Sequence, residues 1–278
     1  MLLRPLCAAL TVAVHVCLSA QPVIDAASAP AVGASYDYDI ASLISLPGTG
    51  PGQVWNASAV QVNSSSTLVF AATSSAVAGA AFPAAEVVQL EGGSETYYSI
   101  DADGLYVIGS YLDALPITSV YTDGERVMAY PCSLGTAWSD VYEGSYSYQS
   151  NIYDQSGADT FEATGYGSLM LPWGTVDNVL RIDGTGNYTE TGNGNSYVYY
   201  AVFSLFYKPG LGNFVARLVD GSATLNGAPA GNQQSFVFMQ ASSIGISEQA
   251  QQGFGLEVFP NPAVDVADLV FTADGRLA

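Results

Sequence analysis

Apolar residues recur at every second position through most of this chain, and Gly, Asn and Asp interrupt each run after a few residues. A period of two sends alternate side chains to opposite faces of a strand, whereas a helix needs a period of about 3.6. The pattern predicts strands and turns with almost no helix. Residues 54–62 alternate, residues 67–72 follow the turn Asn63-Ser-Ser-Ser66, and residues 86–90, 96–100 and 105–111 form a meander. Asp-Gly tolerates positive φ and marks hairpins, so residues 119–122 and 126–130 are expected to pair through Asp123-Gly124. Further strands are expected at 138–142, 145–153, 160–165, 167–171, 178–183, 197–207 and 214–220, with a tight turn at Pro172-Trp173-Gly174-Thr175. Residues 184–187 and 192–195 are glycine-rich and read as loop tips. The expected fold is all-β, an antiparallel meander curved into a sandwich or a partly open barrel.

The first 20 residues carry one basic residue, Arg4, then an apolar run, then Ser19-Ala20 before Gln21. That is the pattern of a secretory signal peptide, which takes no part in the fold. Its apolar stretch is shorter than the roughly 20 residues that span a bilayer, and no later stretch is long enough, so no transmembrane segment is expected. Removal of the signal takes away His15, Cys7 and Cys17, and leaves Cys132 as the single thiol. A Ser-His-Asp or Cys-His arrangement and a histidine-ligated zinc site then have no imidazole to use, and no internal disulfide can form. Cys132 follows Tyr130-Pro131 and reads as a small buried hydrophobe. Without Arg4, five basic residues face 25 acidic ones. Such a surface repels nucleic acid phosphates and anionic lipid, so no nucleic acid partner is expected.

The chain divides into the signal (1–20), an Ala/Ser/Gly-rich N-terminal segment with room for a first strand (21–53), an antiparallel β domain (54–245), a Gln-rich linker (246–253) and a terminal unit (254–278). In that unit Leu256-Glu-Val-Phe-Pro-Asn-Pro-Ala-Val-Asp265 places a short strand before Pro260-Asn261-Pro262 and a second apolar run after it. This resembles the opening of the C-terminal sorting domain of type IX (Por) secretion cargo in Bacteroidetes-type bacteria. The resemblance implies a small β-sandwich, truncated here after its first strands, that partners the type IX secretion machinery. It also implies passage through the periplasm and outer membrane to the cell surface or the medium. A weaker resemblance, carried by Gly165-Tyr-Gly-Ser-Leu-Met-Leu-Pro-Trp-Gly-Thr-Val-Asp-Asn-Val-Leu-Arg181 and Tyr207-Lys-Pro-Gly-Leu-Gly212, is to lipocalin-like or lipoprotein-carrier-like envelope β proteins, and implies a cupped apolar ligand.

Few residues point to chemistry. Asp101-Ala-Asp103-Gly104 lacks the ligand spacing of a calcium loop and reads as a hairpin turn, and Asp37 and Asp39 alternate so that both carboxylates share one strand face. The glycine-rich stretches lack the strand-to-helix context of a phosphate loop, so no cofactor and no metal is expected. Aromatic residues are denser than any polar motif, and Trp138, Tyr146, Tyr148, Trp173 and Tyr199 are the candidate binding residues. Such rings stack on a glycan when exposed and bury an apolar small molecule when they line a barrel; cross-strand pairing is the plainer role. Paired carboxylates alone hydrolyse glycosides, and Asp140, Glu143, Asp154, Asp159 and Glu162 are candidates without a spacing that selects a pair. The expected function is non-enzymatic binding or surface structure, with a carrier of an apolar small molecule or lipid and a carboxylate-based glycan hydrolase as alternatives. Alanines in place of Pro260-Asn261-Pro262 should leave the exported chain in the periplasm of a type IX secretion host. An undiminished fraction at the surface or in the medium contradicts the sorting role.

Overall fold

The computed structural model describes residues 21–244 in full and the backbone of residues 254–259 and 268–273. The signal segment 1–20 and Pro260-Asn261-Pro262 lie outside the described residues. The strands are β1 (Ser35–Ala41), β2 (Gly50–Asn56), β3 (Val62–Ala71), β4 (Val87–Glu91), β5 (Ser94–Ile100), β6 (Gly104–Leu112), β7 (Ile117–Ala129) and β8 (Ala137–Tyr148). They continue as β9 (Asn151–Leu171), β10 (Gly174–Gly192), β11 (Asn195–Tyr207), β12 (Phe214–Leu225) and β13 (Ala228–Met239). A separate antiparallel hairpin joins β14 (Phe254–Phe259) to β15 (Asp268–Ala273). Helix is limited among the described residues to short 3-10 turns.

The expected all-β fold is present, and it closes. Each of β3 to β13 pairs antiparallel with the next, β1 pairs with β3 on one side and β13 on the other, and the ring of twelve has no open seam. β2 is an excursion that runs parallel to the end of β9, where β8 no longer accompanies it. Closure through β1 means that residues 35–41 are part of the barrel wall, joined to Phe236, Val237, Phe238 and Met239.

Several expected breaks are continuous strand instead. Asp123-Gly124 lies inside β7, where the register shifts opposite both β6, between Val120 and Glu125, and β8, between Tyr121 and Asp123, so the extra residues are absorbed as bulges and no hairpin forms. Residues 184–187 lie in the middle of β10. The reason is steric: a Cβ at Gly184 would collide with the Phe161 ring, and one at Gly157 with Tyr142. These glycines make room for inward rings on neighbouring strands and end nothing. The turns at Pro172-Trp173 and at Asn193-Gly194 are where the sequence puts them.

The apolar core lies on both sides of the wall. Outside, Phe206, Ala216, Phe236 and Phe238 are buried because β2 and the far ends of β9 and β10 lie over them. Trp55 meets Phe206 edge-on at 5.1 Å, and Trp173 Nε1 donates to the Met239 carbonyl at 2.9 Å. A smaller outer cluster holds residues 72–86, where Phe82 stacks on Tyr97 at 3.9 Å. Burial alone would raise Glu95 beneath this cluster, but hydrogen bonds from the Tyr97 hydroxyl and the amides of Val77 and Ala78 outweigh it, and the carboxyl sits below its ordinary value. It is a capping group for the loop. Elsewhere the exposed face of β8 and β9 mixes Ser139, Glu143, Asp154, Ser156, Thr160 and Glu162 with the apolar Val141 and Ile152. No helix among the described residues is long and apolar enough to cross a membrane.

One end of the barrel is crossed by the segment before β1. Ile24 exchanges two backbone hydrogen bonds with Cys132, 2.9 and 2.7 Å. Ser28 Oγ then accepts from the Gly210 amide at 3.1 Å in the turn between β11 and β12, and Gly33 donates to Phe70 of β3 at 2.8 Å. These anchors lie about a third of the ring apart, so the segment spans the opening. Cys132 is fully buried there, and desolvation pushes its thiol up to about 12.

Candidate functional site

Inside the barrel is a cavity of about 270 Å³. Ile24, Ser28 and Pro30 of the crossing segment line one side of it, and the wall contributes rings from Phe70, Tyr98, Phe161, Tyr188, Phe203 and Tyr207. Two charged features stand among these rings.

The first is a carboxyl pair. Glu125 of β7 and Asp159 of β9 share a hydrogen bond in which Glu125 donates. Burial, then the charge of Asp159, raises Glu125 to about 8. Burial also raises Asp159, to about 6, against the hydrogen bond from Glu125, which lowers it. Glu125 is only half-buried, but its free surface borders the cavity, so it gains little from bulk water. At neutral pH the pair holds one proton and one negative charge, because two adjacent carboxylates in a poorly solvated site do not both ionise.

The wall itself brings these groups together. β7 and β8 are paired only at Val120, Tyr121 and Asp123. Beyond that point side chains replace the ladder: Asp140 Oδ2 accepts from the Arg126 amide at 2.7 Å, and Trp138 Nε1 donates to the Arg126 carbonyl at 3.1 Å. β7 thereby turns Glu125 towards Asp159, and Tyr142 lies beside them, its hydroxyl raised by burial and then by the charges of Glu125 and Asp159. Towards the hairpin end a chain of hydrogen bonds runs from Ser119 to Gln155, from Gln155 to the Tyr188 hydroxyl at 2.5 Å, and from Tyr188 to Glu190 at 2.8 Å.

The second feature is Arg217 of β12. Its guanidinium lies over the Phe214 ring at 4.9 Å, and its charge acts on the hydroxyls of Tyr38, Tyr98, Tyr199 and Tyr207. Among the described residues it forms no ion pair, and its Nε is buried without a hydrogen-bond partner. Nearby Asn213 Nδ2 is buried and unpartnered too.

The aromatic residues singled out in the sequence do not share one surface. Tyr199 lines the cavity and donates to Gln233 Oε1 at 2.8 Å. Trp138 stacks on Phe161 at 5.1 Å, and Tyr146 stacks on Tyr153 at 4.8 Å. Tyr148 sits at the end of β8, its hydroxyl accepting from Gln149, and Trp173 belongs to the outer layer. Of the acids, Asp140 and Asp159 meet Glu125, while Glu143, Asp154 and Glu162 are exposed. Asp37 and Asp39 accept from Thr67 at 2.6 Å and Ser65 at 2.8 Å across to β3 and are ordinary strand-face acceptors. Glu125 escaped notice because Asp123-Gly124 read as a turn. Arg217 carried a signal, a lone charge in the apolar run Phe214-Val-Ala-Arg-Leu-Val219. Among the described residues no cluster of three or more acidic, histidine or cysteine side chains could hold a metal ion.

Comparison with family models, with curated proteins and with solved structures finds no match for this chain.

The carboxyl pair has a measurable consequence. Glu125 and Asp159 have folded values above their ordinary 4.5 and 3.8, so the folded chain keeps protons that the unfolded chain has released. Their contribution is fully present below about pH 4 and is lost as pH rises through about 6 and 8. Urea midpoints of the wild type should fall over that window relative to Glu125→Gln, which cannot ionise. Parallel profiles for the two proteins contradict the shared proton.

Proposed function

We propose that this chain is an exported binding protein whose barrel takes up one small solute with an apolar, ring-sized body and a polar group at its edge. The observation that carries the reading is the interior cavity of about 270 Å³, lined by rings with a few placed polar groups, which is the general make-up of a small-molecule site. Its volume lies between the roughly 150 Å³ cavity that accepts benzene and the lower end, roughly 300 Å³, of drug-sized sites. That favours a one-ring solute over a lipid with long acyl chains. Export rests on the signal-like segment 1–20 and on the resemblance of the C-terminal unit to a type IX sorting domain.

The glycan readings draw less support. Glycoside cleavage uses two carboxyl groups about 5–9.5 Å apart across a sugar, whereas Glu125 and Asp159 are hydrogen-bonded to each other within a closed wall. A stacking platform needs rings on one open face, and Trp138, Trp173 and Tyr199 occupy three different surroundings.

Binding is tested by thermal shift with one-ring solutes such as phenol. Near 100-fold saturation the gain is about 2.7 kcal/mol, which corresponds to about 5–10 °C in Tm for a domain of this size. Leu205→Trp, which fills the cavity from β11, should abolish the shift while keeping the β-rich circular dichroism spectrum. No shift in the wild type, or an equal shift in the filled variant, contradicts the reading.

A further inference from the structure

The charges in the barrel indicate which solute belongs there. Acidic residues outnumber basic ones 25 to 6, yet Arg217 has no acidic partner among the described residues. Its neighbours include Phe214 and the hydroxyls of Tyr38, Tyr98, Tyr199 and Tyr207, while Glu91, the carboxylate that lines the same cavity and acts on Tyr38 and Tyr98, accepts from Ser66 at 3.1 Å and Gln89 at 3.4 Å instead. These hydroxyls are partly committed elsewhere: Tyr38 donates to the Phe214 carbonyl at 3.1 Å, Tyr98 to Gln89 at 2.9 Å and Tyr199 to Gln233 at 2.8 Å. A guanidinium offers five donors in a planar fork, and buried charges are normally paired. Here the Arg217 Nε and the Asn213 Nδ2, both on residues that line the cavity, remain without acceptors. Two unsatisfied donors beside one positive charge complement an anion with coplanar oxygens.

Resting on the reading of the cavity as a solute site, we propose that its ligand is a small aromatic monocarboxylate, its carboxylate held by Arg217 and Asn213 and its ring lodged among Phe203, Tyr207 and Tyr98. A carboxylate matches the guanidinium fork in two parallel hydrogen bonds. The cavity volume of about 270 Å³ limits the body to about one ring. Among the charged residues that line the cavity Arg217 is the one cation, and the Glu125 proton is already given to Asp159 on the opposite wall.

The test is calorimetric titration of the full chain with phenylacetate and with 2-phenylethanol, which differ in the charged group and little in the body. Phenylacetate should bind at least about tenfold more tightly than the alcohol, as a charge-assisted bidentate contact requires. Arg217→Met should remove that preference and leave the affinity for the alcohol within about twofold of wild type. Equal affinities in the wild type, or equal weakening of both ligands by Arg217→Met, overturn the carboxylate assignment and leave the cavity reading in place. Binding of neither, with no shift from phenol, overturns both. Should Arg217→Met not fold, the wild-type preference alone decides, with Arg217→Lys expected to fall between wild type and the alcohol.

Discussion

The structure depends on closure of the ring between its first and last wall strands, where β1 meets β13 at Tyr38, Asp39, Ile40 and Ala41. Without those pairs the sheet would have two exposed edges, each a row of unpaired backbone groups. Closing at twelve strands fixes the problem that the rest of the sequence must solve. A barrel of about eight strands is just filled by its side chains, and one of about 16–18 leaves an aqueous channel. Twelve lies between, and aliphatic side chains alone do not reach across. Tyrosine and phenylalanine fill much of the interior, and Gly157 and Gly184 on adjacent strands make room for the Tyr142 and Phe161 rings. What they leave is a cavity of one-ring size.

Polar groups survive in that interior because their partners are specified. The hydroxyl chain from Ser119 to Glu190 satisfies its own members, and the shared proton relieves Glu125 and Asp159 of a double charge. Asp140 and Trp138 take over the backbone bonding of Arg126 where β7 and β8 part. Arg217 Nε and Asn213 Nδ2 are the exceptions to this accounting among the cavity-lining residues. A buried donor left without a partner costs free energy, a cost that the proposed anion would remove.

Alternation made the strand content legible, and short turn motifs at Pro172-Trp173 and Asn193-Gly194 located true hairpins. The same rules failed where glycine serves packing. Gly157 and Gly184 read as interruptions because sequence shows the missing side chain but not the ring from another strand that occupies its place. Fragments at 145–153, 160–165 and 167–171 therefore stand for parts of β8 and of the single long strand β9. The site was legible in part: Asp159, Asp140 and Tyr199 were visible as candidates, but Glu125 was hidden by a bulge that looked like a turn. The pairing of Glu125 with Asp159 spans strands that are not neighbours in the sheet, and no local pattern reports it.

The account turns on whether burial beside Asp159 keeps Glu125 protonated at neutral pH. Infrared difference spectroscopy of the folded protein, titrated between pH 5 and 9, reads that proton directly through the carbonyl stretch of an un-ionised carboxyl. The band should persist at pH 7, fade through about pH 8 and be absent from Glu125→Gln. A spectrum with no protonated carboxyl at pH 7, or one whose band is unchanged by Glu125→Gln, would contradict it.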